Sequence, residues 1–560
     1  MKIAKQISSL EKVRLDSPMD YREINSQTLL RGERFSYQIA LMRETLGKSN
    51  NYAVGKIEID SPLAPFIKIY NIKNAVMDCP ITRTEAAFDL NYITKEPGLM
   101  PDILIPADEN DNIWMVATGA SAIWVELNVP ADIAAGTYDI NIRLREIDLW
   151  SITEKDNYLF EKKMTVEILD ETILPQSLIY TRWLYADCIA DYHNVKIYSE
   201  EHWALIEKYI AQAVDVGVNM MLVPVHTPPL DTAIGFARPC VQLVDIKKNS
   251  DKYSFGFDKF KRYIDICKRC GIKYYEIAHM FSQWGAKYAP NIMVEENGRL
   301  DYAFGWRTAA DSEEYTSFLK QYIAAISGAL RTEGIEENTY FHISDEPNIQ
   351  NLDSYTRASE IIRPLIGKSK TFDALSNYEY YQNGLVECPV TSVAHIDKFI
   401  GHGVENQWVY YCCGPQSVFP NSFMAMPSSR VRISGMLIYK YDIKGFLHWG
   451  LNFYNAMLSH GKIDPYITTS AEGCYPSGDP FILYPAKNGA YNSIRGKVFY
   501  DAIEDINVCR TLEKYIGRDA VVELIDKAAG GELKFDNYPA DSDYLINLRE
   551  EMANIIKEHI

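Results

Sequence analysis

Two acidic residues, Asp345 and Glu346, stand side by side in the segment HISDEP at residues 342–347. Side chains on a regular strand point alternately to opposite faces, so neighbouring acids serve one site only where the strand ends and the backbone turns. Pro347 bars Glu346 from the helical region, which favours such a turn. One carboxyl beside another has a raised pKa, and a protonated carboxyl can give its proton to a leaving oxygen. We therefore expect Asp345 and Glu346 to be catalytic, with Glu346 as the general acid.

The alternative for this pair is a solvated loop that ends in a turn proline, because an isolated Asp-Glu dipeptide is a weak motif. Position distinguishes the two interpretations. The pair follows an apolar strand in a region where strands and helices alternate, and in such barrels the carboxyl ends of the strands hold the active site.

Other predicted strand ends carry polar and aromatic residues that suit a sugar ligand, since aromatic faces pack on the apolar CH faces of sugar rings and polar groups bond to hydroxyls. For each residue taken singly, core packing or a structural hydrogen bond is the alternative. The candidate substrate-binding residues are Trp183, Asp187, His226, Asp231, His279, Gln283, Trp284, Asp373, His395, Tyr410, Tyr411, Trp449 and Asn452.

A metal site is the other chemistry that these strand ends could support, because His226, His279, His342 and His395 lie on or after separate strands. The spacing argues against it, since no HxH follows the first strand and no HExxH occurs. The sequence also contains no GxxxxGK[ST] phosphate loop and no GxGxxG that opens a helix. We expect neither metal nor cofactor.

Residues 1–172 show short alternating segments separated by turn residues, which predicts an antiparallel β-sandwich. The clearest of them, residues 137–144, alternates strictly between apolar and polar side chains and predicts a strand with one buried face. Residues 171–177 read as a linker.

After the linker, apolar runs alternate with amphipathic helices, which predicts parallel strands covered by helices. In the first helix Ser199 is the expected N-cap, and Gly217 ends the helical pattern. A second helix is expected from Asp258 to Cys270. Eight strands predict a (β/α)₈ barrel over residues 173–512: IYTRWLY, VNMMLVPV, IKYYEIAHMF, TYFHIS, KTFDAL, PVTSVAH, QWVYYCC and GFLHWGLNF. Residues 513–560 are expected to form helices that pack on the barrel.

Composition narrows the class of partner. The chain has 560 residues, 47% of them hydrophobic, so it can bury a large core, and its net charge of -18 argues against nucleic acid as a partner. Ten scattered cysteines without a CxxC pair favour reduced thiols, and we see neither a secretory signal nor a membrane-spanning run. We expect a cytoplasmic protein with a small glycan or glycoside as substrate and no membrane partner.

Long stretches of the chain match a known family in order. They resemble glycoside hydrolase family 123 and its relatives with domain of unknown function 4091. The segments are RWLYADCIADYH, VPVHTPPLDTAIG, HMFSQWGAKYAP, YFHISDEP, DALSNYEYY, WVYYCCG, YKYDIKGFLHWGLNFYN and GDPFILYP with NSIRGKVFYDAIEDI, and RGERFSYQIAL is similar to the start of the family's N-terminal domain.

The resemblance implies a β-sandwich followed by a (β/α)₈ barrel and a retaining β-N-acetylgalactosaminidase. It implies that Glu346 protonates the leaving group, while Asp345 holds the substrate's own 2-acetamido group as that group attacks the anomeric carbon. Two alternatives stay open. One is a catalytically silent sugar-binding barrel, and the other is a conventional glycosidase in which Asp187 or Asp373 is the nucleophile.

Overall fold

The computed structural model of the protein describes residues 2–43, 52–108, 110–116, 119–148, 151, 153–283 and 285–560. Contacts between residues divide the chain into two units, each assembled from separate segments. Unit 1 comprises Met1–Ser177, Ser417–Lys440 and Tyr491–Ile560, and unit 2 comprises Leu178–Gln416 and Tyr441–Ala490. The domain boundaries expected from the sequence, 1–172, 173–512 and 513–560, stay a prediction.

Unit 1 starts with two sheets whose inner faces share one hydrophobic core. Five strands of one sheet follow one another in the order β1-β3-β8-β5-β6, and the other sheet has the order β2-β10-β9-β4-β7. Their pairs are antiparallel except for β2 with β10, which is parallel. The strands are β1 (Lys2–Ser8), β2 (Ser26–Arg31), β3 (Arg34–Arg43), β4 (Tyr52–Asp60), β5 (Ile67–Met77), β6 (Gly98–Pro106), β7 (Asn112–Val116), β8 (Gly119–Asn128), β9 (Gly136–Asp148) and β10 (Thr153–Thr172), with a short helix α1 (Thr84–Phe88) after β5.

The alternation that predicted a strand at residues 137–144 is confirmed in β9. Ile140, Ile142 and Leu144 are buried, whereas the residues between them are partly exposed. These three side chains join the core shared with the facing sheet. Fully burying an aliphatic side chain of this size contributes roughly 1.5–3 kcal/mol, so the period of two fixes which face turns inward.

Unit 2 contains a closed barrel of eight parallel strands, in which each predicted strand is present and in sequence order. Most of their residues are buried, as expected for parallel strands that are covered on both faces. The barrel strands are β11 (Ile179–Arg182), β12 (Met220–Val223), β15 (Tyr274–Ile277), β18 (Thr339–Phe341), β19 (Lys370–Leu375), β20 (Cys388–Ser392), β21 (Trp408–Tyr410) and β22 (Gly445–His448).

The helices of unit 2 follow the predicted signals. The Ser199 side chain accepts a hydrogen bond from the His202 amide at the start of α3, and Gly271 ends α4 in a left-handed conformation. The helices are α2 (Ala186–His193), α3 (Glu200–Val214), α4 (Asp258–Cys270), α5 (Glu313–Glu333), α6 (Leu352–Ile362) and α7 (Glu379–Gln382).

Unit 2 also carries a four-stranded sheet inserted between barrel strands, which the sequence analysis did not predict. Its order is β14-β13-β16-β17. Its strands are β13 (Asp245–Asn249), β14 (Lys252–Gly256), β16 (Ile292–Glu296) and β17 (Arg299–Phe304); two further short strands, β23 (Tyr484–Ala486) and β24 (Gly489–Ser493), come after the barrel.

Four helices of unit 1 come late in the chain: α8 (Ser429–Lys440), α9 (Ile494–Ile516), α10 (Arg518–Ala528) and α11 (Ser542–His559). The sequence predicts that the last segment packs on the barrel; within unit 1, α11 contacts β2, α8 and α9. There Arg549 forms a buried ion pair of 2.5 Å with Glu33. Among the described helices, none combines the length and apolar character needed to cross a bilayer.

Candidate active site

Asp345 and Glu346 follow β18 and line the same pocket of unit 2. The backbone turns at this point, because Glu346 adopts a left-handed φ of 41°, which few residues other than glycine adopt. Backbone strain of this kind persists where the surrounding structure enforces it, commonly at functional sites. The turn brings two consecutive carboxyl groups into one pocket, as the sequence argument required.

The pocket lies at the mouth of the barrel and has a volume of about 170 Å³. Ligand pockets commonly span about 300–1,000 Å³, so this one takes a small ligand or one part of a larger ligand. Its walls combine three carboxylates with several aromatic rings. The lining residues are Trp183, Tyr185, Leu230, Asp231, Gln283, Asp345, Glu346, Ala374, Tyr410, Cys412, Cys413, Leu447, Trp449 and Tyr475.

Tyr410, at the end of β21, orients Glu346. Its phenol donates a hydrogen bond of 2.7 Å to Glu346 Oε1. The Glu346 residue is otherwise exposed, whereas Tyr410 is buried. A hydrogen bond from a fixed phenol therefore selects one orientation of a carboxyl that could otherwise rotate in solvent.

Asp345 is partly buried beside Glu346. Desolvation raises the pKa of Asp345 well above that of an ordinary aspartate, the neighbouring charge of Glu346 raises it further, and His342 opposes both effects. The sequence predicts a proton on Glu346; in the structure the pKa of Asp345, the more buried of the two, is raised. The pair is therefore disposed to hold one proton.

A buried chain of hydrogen bonds lies behind the pocket wall. Trp183 Nε1 donates to Glu276 Oε2 over 3.1 Å, and the same oxygen lies 2.8 Å from His342 Nε2. His342 Nδ1 lies 3.1 Å from Asp373 Oδ1. Burial lowers the pKa of His342, but the bonds to Asp373 and Glu276 outweigh it and raise that pKa to about 9. The chain fixes the Trp183 ring and holds a cation beneath the acids.

Asp231 is the third carboxylate of the pocket, and both of its oxygens accept hydrogen bonds. Tyr475 donates its phenol to Oδ1 over 2.8 Å, and the Leu458 amide donates to Oδ2 over 3.1 Å. The Asp231 amide in turn donates to Gln283 Oε1 over 2.9 Å. Desolvation raises the pKa of Asp231, while the bond from Tyr475 lowers it. The hydrogen bond between them holds Gln283 and Asp231 together on one side of the pocket.

Trp449 forms another wall of the pocket. Its Nε1 donates to Asp479 Oδ2 over 3.0 Å, and its ring meets the Tyr475 ring edge-on with 5.2 Å between centroids. The hydrogen bond to Asp479 keeps the Trp449 ring from rotating, so the ring presents a fixed aromatic surface to a ligand.

The sequence of residues 183–512 matches the family model described as glycoside hydrolase 123, catalytic domain. The match covers more than half of the chain. The chain belongs to glycoside hydrolase family 123. No curated protein matches its sequence significantly.

A solved structure of a family 123 glycoside hydrolase from Clostridium perfringens, described for glycolipid glycan hydrolysis, is similar over 100% of this chain and 98% of that one. The TM-score is 0.71 and the identity 16%, which shows a shared fold. Bifidobacterium dentium beta-glucuronidase (TM-score 0.32, 8% identity, 89% and 66% covered) and a glycosyl hydrolase family 2 member from Bacteroides cellulosilyticus DSM 14838 (0.28, 8%, 75% and 44%) are too dissimilar to carry an argument.

In this family 123 glycoside hydrolase, seven of the residues selected from the sequence line the pocket. They come from six different barrel strands or the loops after them, as expected for a site at one end of a barrel. They are Trp183, Asp231, Gln283, Asp345, Glu346, Tyr410 and Trp449.

Asp187 and Asn452 do not line the pocket, and the polar groups of both contact other parts of the protein. Asp187 is buried, with Oδ2 3.4 Å from Arg238 Nη1. The Asn452 amide bonds to both the N–H and the C=O of Tyr185, over 2.9 and 3.0 Å. The sequence predicts that Asn452 contacts the substrate. In the structure it instead holds the backbone of Tyr185, which lines the pocket.

The histidines selected from the sequence are also absent from the pocket lining. His226 Nε2 lies 2.9 Å from the His279 carbonyl, and the His279 ring stacks on His342 with 3.8 Å between centroids. Burial lowers the pKa of His226 to about 4 and that of His279 well below 6.5. His395 is exposed after β20. His226 and His279 are therefore neutral side chains that pack beneath the pocket.

Three candidate substrate-binding residues remain: Asp373, Tyr411 and Trp284. Asp373 is fully buried and accepts bonds from the Ile343 amide over 3.1 Å and from the Tyr355 phenol over 2.5 Å, so it holds the segment that leads to Asp345. The buried Tyr411 ring packs on Phe446, away from the pocket lining. Trp284 lies outside the described residues.

Three side chains could in principle hold a metal ion, since His279, His342 and Asp373 place possible ligand atoms within 4.8 Å of one another. The nitrogens of His342 and the oxygens of Asp373 are already engaged in hydrogen bonds. The absence of a metal from the site stays a prediction. The hydrogen bonds support it, because the possible ligand atoms of His342 and Asp373 already have partners.

Sequence reasoning missed Glu276, Tyr475 and the Cys412–Cys413 pair. Glu276 had a signal, because a carboxylate within the apolar strand segment IKYYEIAHMF must find partners when buried. Tyr475 had none, since it lies in a long segment after the last barrel strand and reaches the pocket through the fold.

Proposed function

We propose that this family 123 glycoside hydrolase removes terminal β-linked N-acetylhexosamine, with β-linked GalNAc as the preferred sugar, by substrate-assisted retaining hydrolysis on a (β/α)₈ barrel. The observation that carries the proposal is the pairing of two consecutive carboxyls in one pocket, one held by Tyr410 and the other with a raised pKa.

The roles follow from exposure. Glu346 is the exposed member of the pair, and Tyr410 orients its carboxyl, so we assign to Glu346 the transfer of the pair's one proton to the glycosidic oxygen, which leaves Asp345 as the carboxylate. Asp345 lies deeper, where it accepts the N–H of the substrate's 2-acetamido group and directs the acetamido oxygen to the anomeric carbon. Water then opens the cyclic intermediate, and Glu346 takes a proton from that water.

A protein nucleophile would have to come from another carboxylate. Asp187 and Asp373, the candidates from the sequence, are buried away from the pocket lining and held by other groups. Asp231 lines the pocket, but both of its oxygens accept hydrogen bonds. The hydrogen bonds on Asp231 and Asp373 and the buried ion pair of Asp187 support a nucleophile supplied by the substrate.

Aromatic and hydroxyl groups complete a sugar site. Trp183 and Trp449 are held by bonds to Glu276 and Asp479, and they provide rigid surfaces for a pyranose ring. Tyr185 also lines the pocket, and its buried hydroxyl has no hydrogen-bond partner among the described residues. A buried hydroxyl without a partner costs free energy that a substrate hydroxyl can restore.

The loop that leaves the pocket at Asp231 also exposes apolar side chains. Ile234 is 71% exposed and Phe236 is 52% exposed, and the loop after β22 exposes Ile467 at 68%. The bond from the Leu458 amide to Asp231 ties these two loops together. An apolar rim beside a sugar pocket suits an apolar aglycone, so we extend the proposal to the glycan of a glycolipid as a substrate.

The test is hydrolysis of aryl β-glycosides of GalNAc, GlcNAc, galactose and glucose by the purified protein and by its Asp345→Asn variant. Cleavage of N-acetylhexosaminides alone, lost in the variant, is the expected result. Turnover of plain galactosides or glucosides would instead require a protein nucleophile such as Asp231, and silence across the panel would reject the proposed sugar.

A further inference from the structure

Two adjacent thiols, Cys412 and Cys413, form part of the pocket wall directly after Tyr410 and Tyr411. Their sulfur atoms are in contact at 3.9 Å, and both residues are partly exposed. The loop that carries them is held at two points, because the Cys412 amide donates to the Gly414 carbonyl over 3.0 Å and Gln416 Nε2 donates to the Cys413 carbonyl over 2.7 Å. The loop thus holds the two sulfurs together at the wall.

We propose that Cys412 and Cys413 form an oxidative modification site that closes to a disulfide with hydrogen peroxide or another small hydroperoxide as oxidant. A reagent of that size can enter a pocket built for a sugar. The contact between the two sulfurs supplies the resolving thiol at once, so the first oxidised sulfur does not need to wait for a conformational change.

The reaction starts at Cys413. The hydrogen bond with Cys413, followed by burial, raises the pKa of Cys412 well above that of an ordinary thiol, so Cys412 keeps its proton. The Cys413 sulfur attacks one peroxide oxygen, the O–O bond breaks, and hydroxide leaves with a proton as water. The Cys412 sulfur then attacks the Cys413 sulfenic acid, the S–O bond breaks, and a second water leaves. Two thiols lose two electrons in total, and one peroxide becomes two waters.

This disulfide is expected to be labile. Adjacent Cα atoms lie about 3.8 Å apart, below the range of about 4.4–6.8 Å that relaxed disulfides span, so closure strains the loop. Strained disulfides are reduced readily, which makes the modification reversible.

Closure also changes the site. The sulfurs must approach from 3.9 Å to about 2.05 Å, which pulls on the loop that begins at Tyr410, the residue that orients Glu346. A displacement of about 1 Å at a reacting group can cost about 100-fold in rate, so we expect at least a tenfold loss of turnover. This effect on turnover rests on the proposed function, whereas formation of the disulfide does not.

The experiment treats the full-length protein with hydrogen peroxide, followed or not by dithiothreitol, and compares wild type with Cys412→Ser, Cys413→Ser and Cys474→Ser. Cys474 is an exposed cysteine of the same unit outside the pocket lining and serves as the matched control. Peptide mass spectrometry follows the disulfide, and dimedone traps sulfenic acid. Activity is expressed for each protein as the ratio of treated to untreated turnover.

The expected result is a Cys412–Cys413 disulfide that dithiothreitol removes in wild type and Cys474→Ser, and a dimedone adduct on Cys413 in Cys412→Ser. Wild type without this disulfide, or Cys412→Ser without the adduct, would overturn the proposal. The disulfide without any loss of turnover would keep the modification site and reject its effect on Glu346. A protein that forms the disulfide but cleaves no N-acetylhexosaminide would instead count against the proposed function alone.

Discussion

The phenol of Tyr410 donates a 2.7 Å hydrogen bond to Glu346 Oε1 across the mouth of the barrel. Tyr410 ends β21 and Glu346 follows β18, and two other strands separate these in the barrel order. Glu346 is therefore held by a residue that lies 64 positions later in the sequence and on a strand that is not adjacent to β18. The barrel must close before this contact forms, so the orientation of Glu346 depends on the complete fold.

Tyr410→Phe removes this bond and keeps the ring. We expect turnover of natural glycosides to fall about 10- to 100-fold, because a hydrogen bond to a charged or reacting carboxyl contributes about 1.5–3 kcal/mol. Steady-state kinetics measure the change. Tyr263→Phe is the matched control, since it also removes a buried phenol, which donates to the Leu222 carbonyl away from the pocket lining. Equal losses in both variants would show a general effect of lost stability.

Glu346→Gln tests the general acid. An amide cannot protonate the leaving oxygen, so glycosides with poor leaving groups should lose about 10²–10⁴-fold in kcat, while activated aryl glycosides lose much less. The measurement is kcat against leaving-group pKa for wild type and variant. Glu379→Gln, at an exposed position, is the control. A uniform loss across leaving groups would remove Glu346 from the acid role.

Asp345→Asn tests the group that holds the acetamido. Because the acetamido must be directed whatever the leaving group, turnover of natural and activated substrates should fall together, by about 100-fold or more. Asp353→Asn, at an exposed position, controls for the loss of a carboxyl. Activated substrates that react at the wild-type rate in Asp345→Asn would contradict the assignment.

Much of the barrel could be predicted from the sequence, because its strands are short apolar runs between amphipathic helices and each was found where the pattern indicated. The carboxyl pair could also be predicted, since Asp345 and Glu346 are adjacent whatever the fold. The inserted sheet β13, β14, β16 and β17 was not predicted, because its strands are only five or six residues long and many of their side chains are exposed.

The rest of the site depends on contacts between distant segments. His226, His279 and Asp373 lie near strand ends, where substrate-binding residues are expected. Burial beneath the pocket keeps both histidines neutral, and Tyr355 donates a hydrogen bond to Asp373. A single sequence does not reveal whether a polar side chain at a strand end faces the ligand or the layer below. Tyr475 shows the converse, since it reaches the pocket from a segment without any periodic pattern.

The raised pKa of Asp345 predicts an effect on stability. A folded-state pKa above the unfolded value means that the folded protein binds the proton more tightly, so stability falls as the pH rises through the folded pKa. Asp345→Asn cannot ionise, so the variant should have the higher Tm at alkaline pH, and its advantage should vanish below a pH of about 4. Thermal unfolding across pH measures this. A Tm below that of wild type at alkaline pH would contradict the desolvation of Asp345.

The chain from Trp183 to Asp373 predicts a histidine with an unusual charge. The pKa of His342 is raised to about 9, whereas that of His226 is lowered to about 4. At a pH of about 8 the His342 ring should be an imidazolium and the His226 ring neutral. Because the folded pKa of His342 is above 6.5, its contribution to stability is complete below 6.5 and is lost as the pH rises through about 9. Ring ¹⁵N shifts measured by NMR, assigned with His342→Gln and His226→Gln, report both charges. A neutral His342 ring at that pH would show that Glu276 and Asp373 do not hold a cation beneath Asp345 and Glu346.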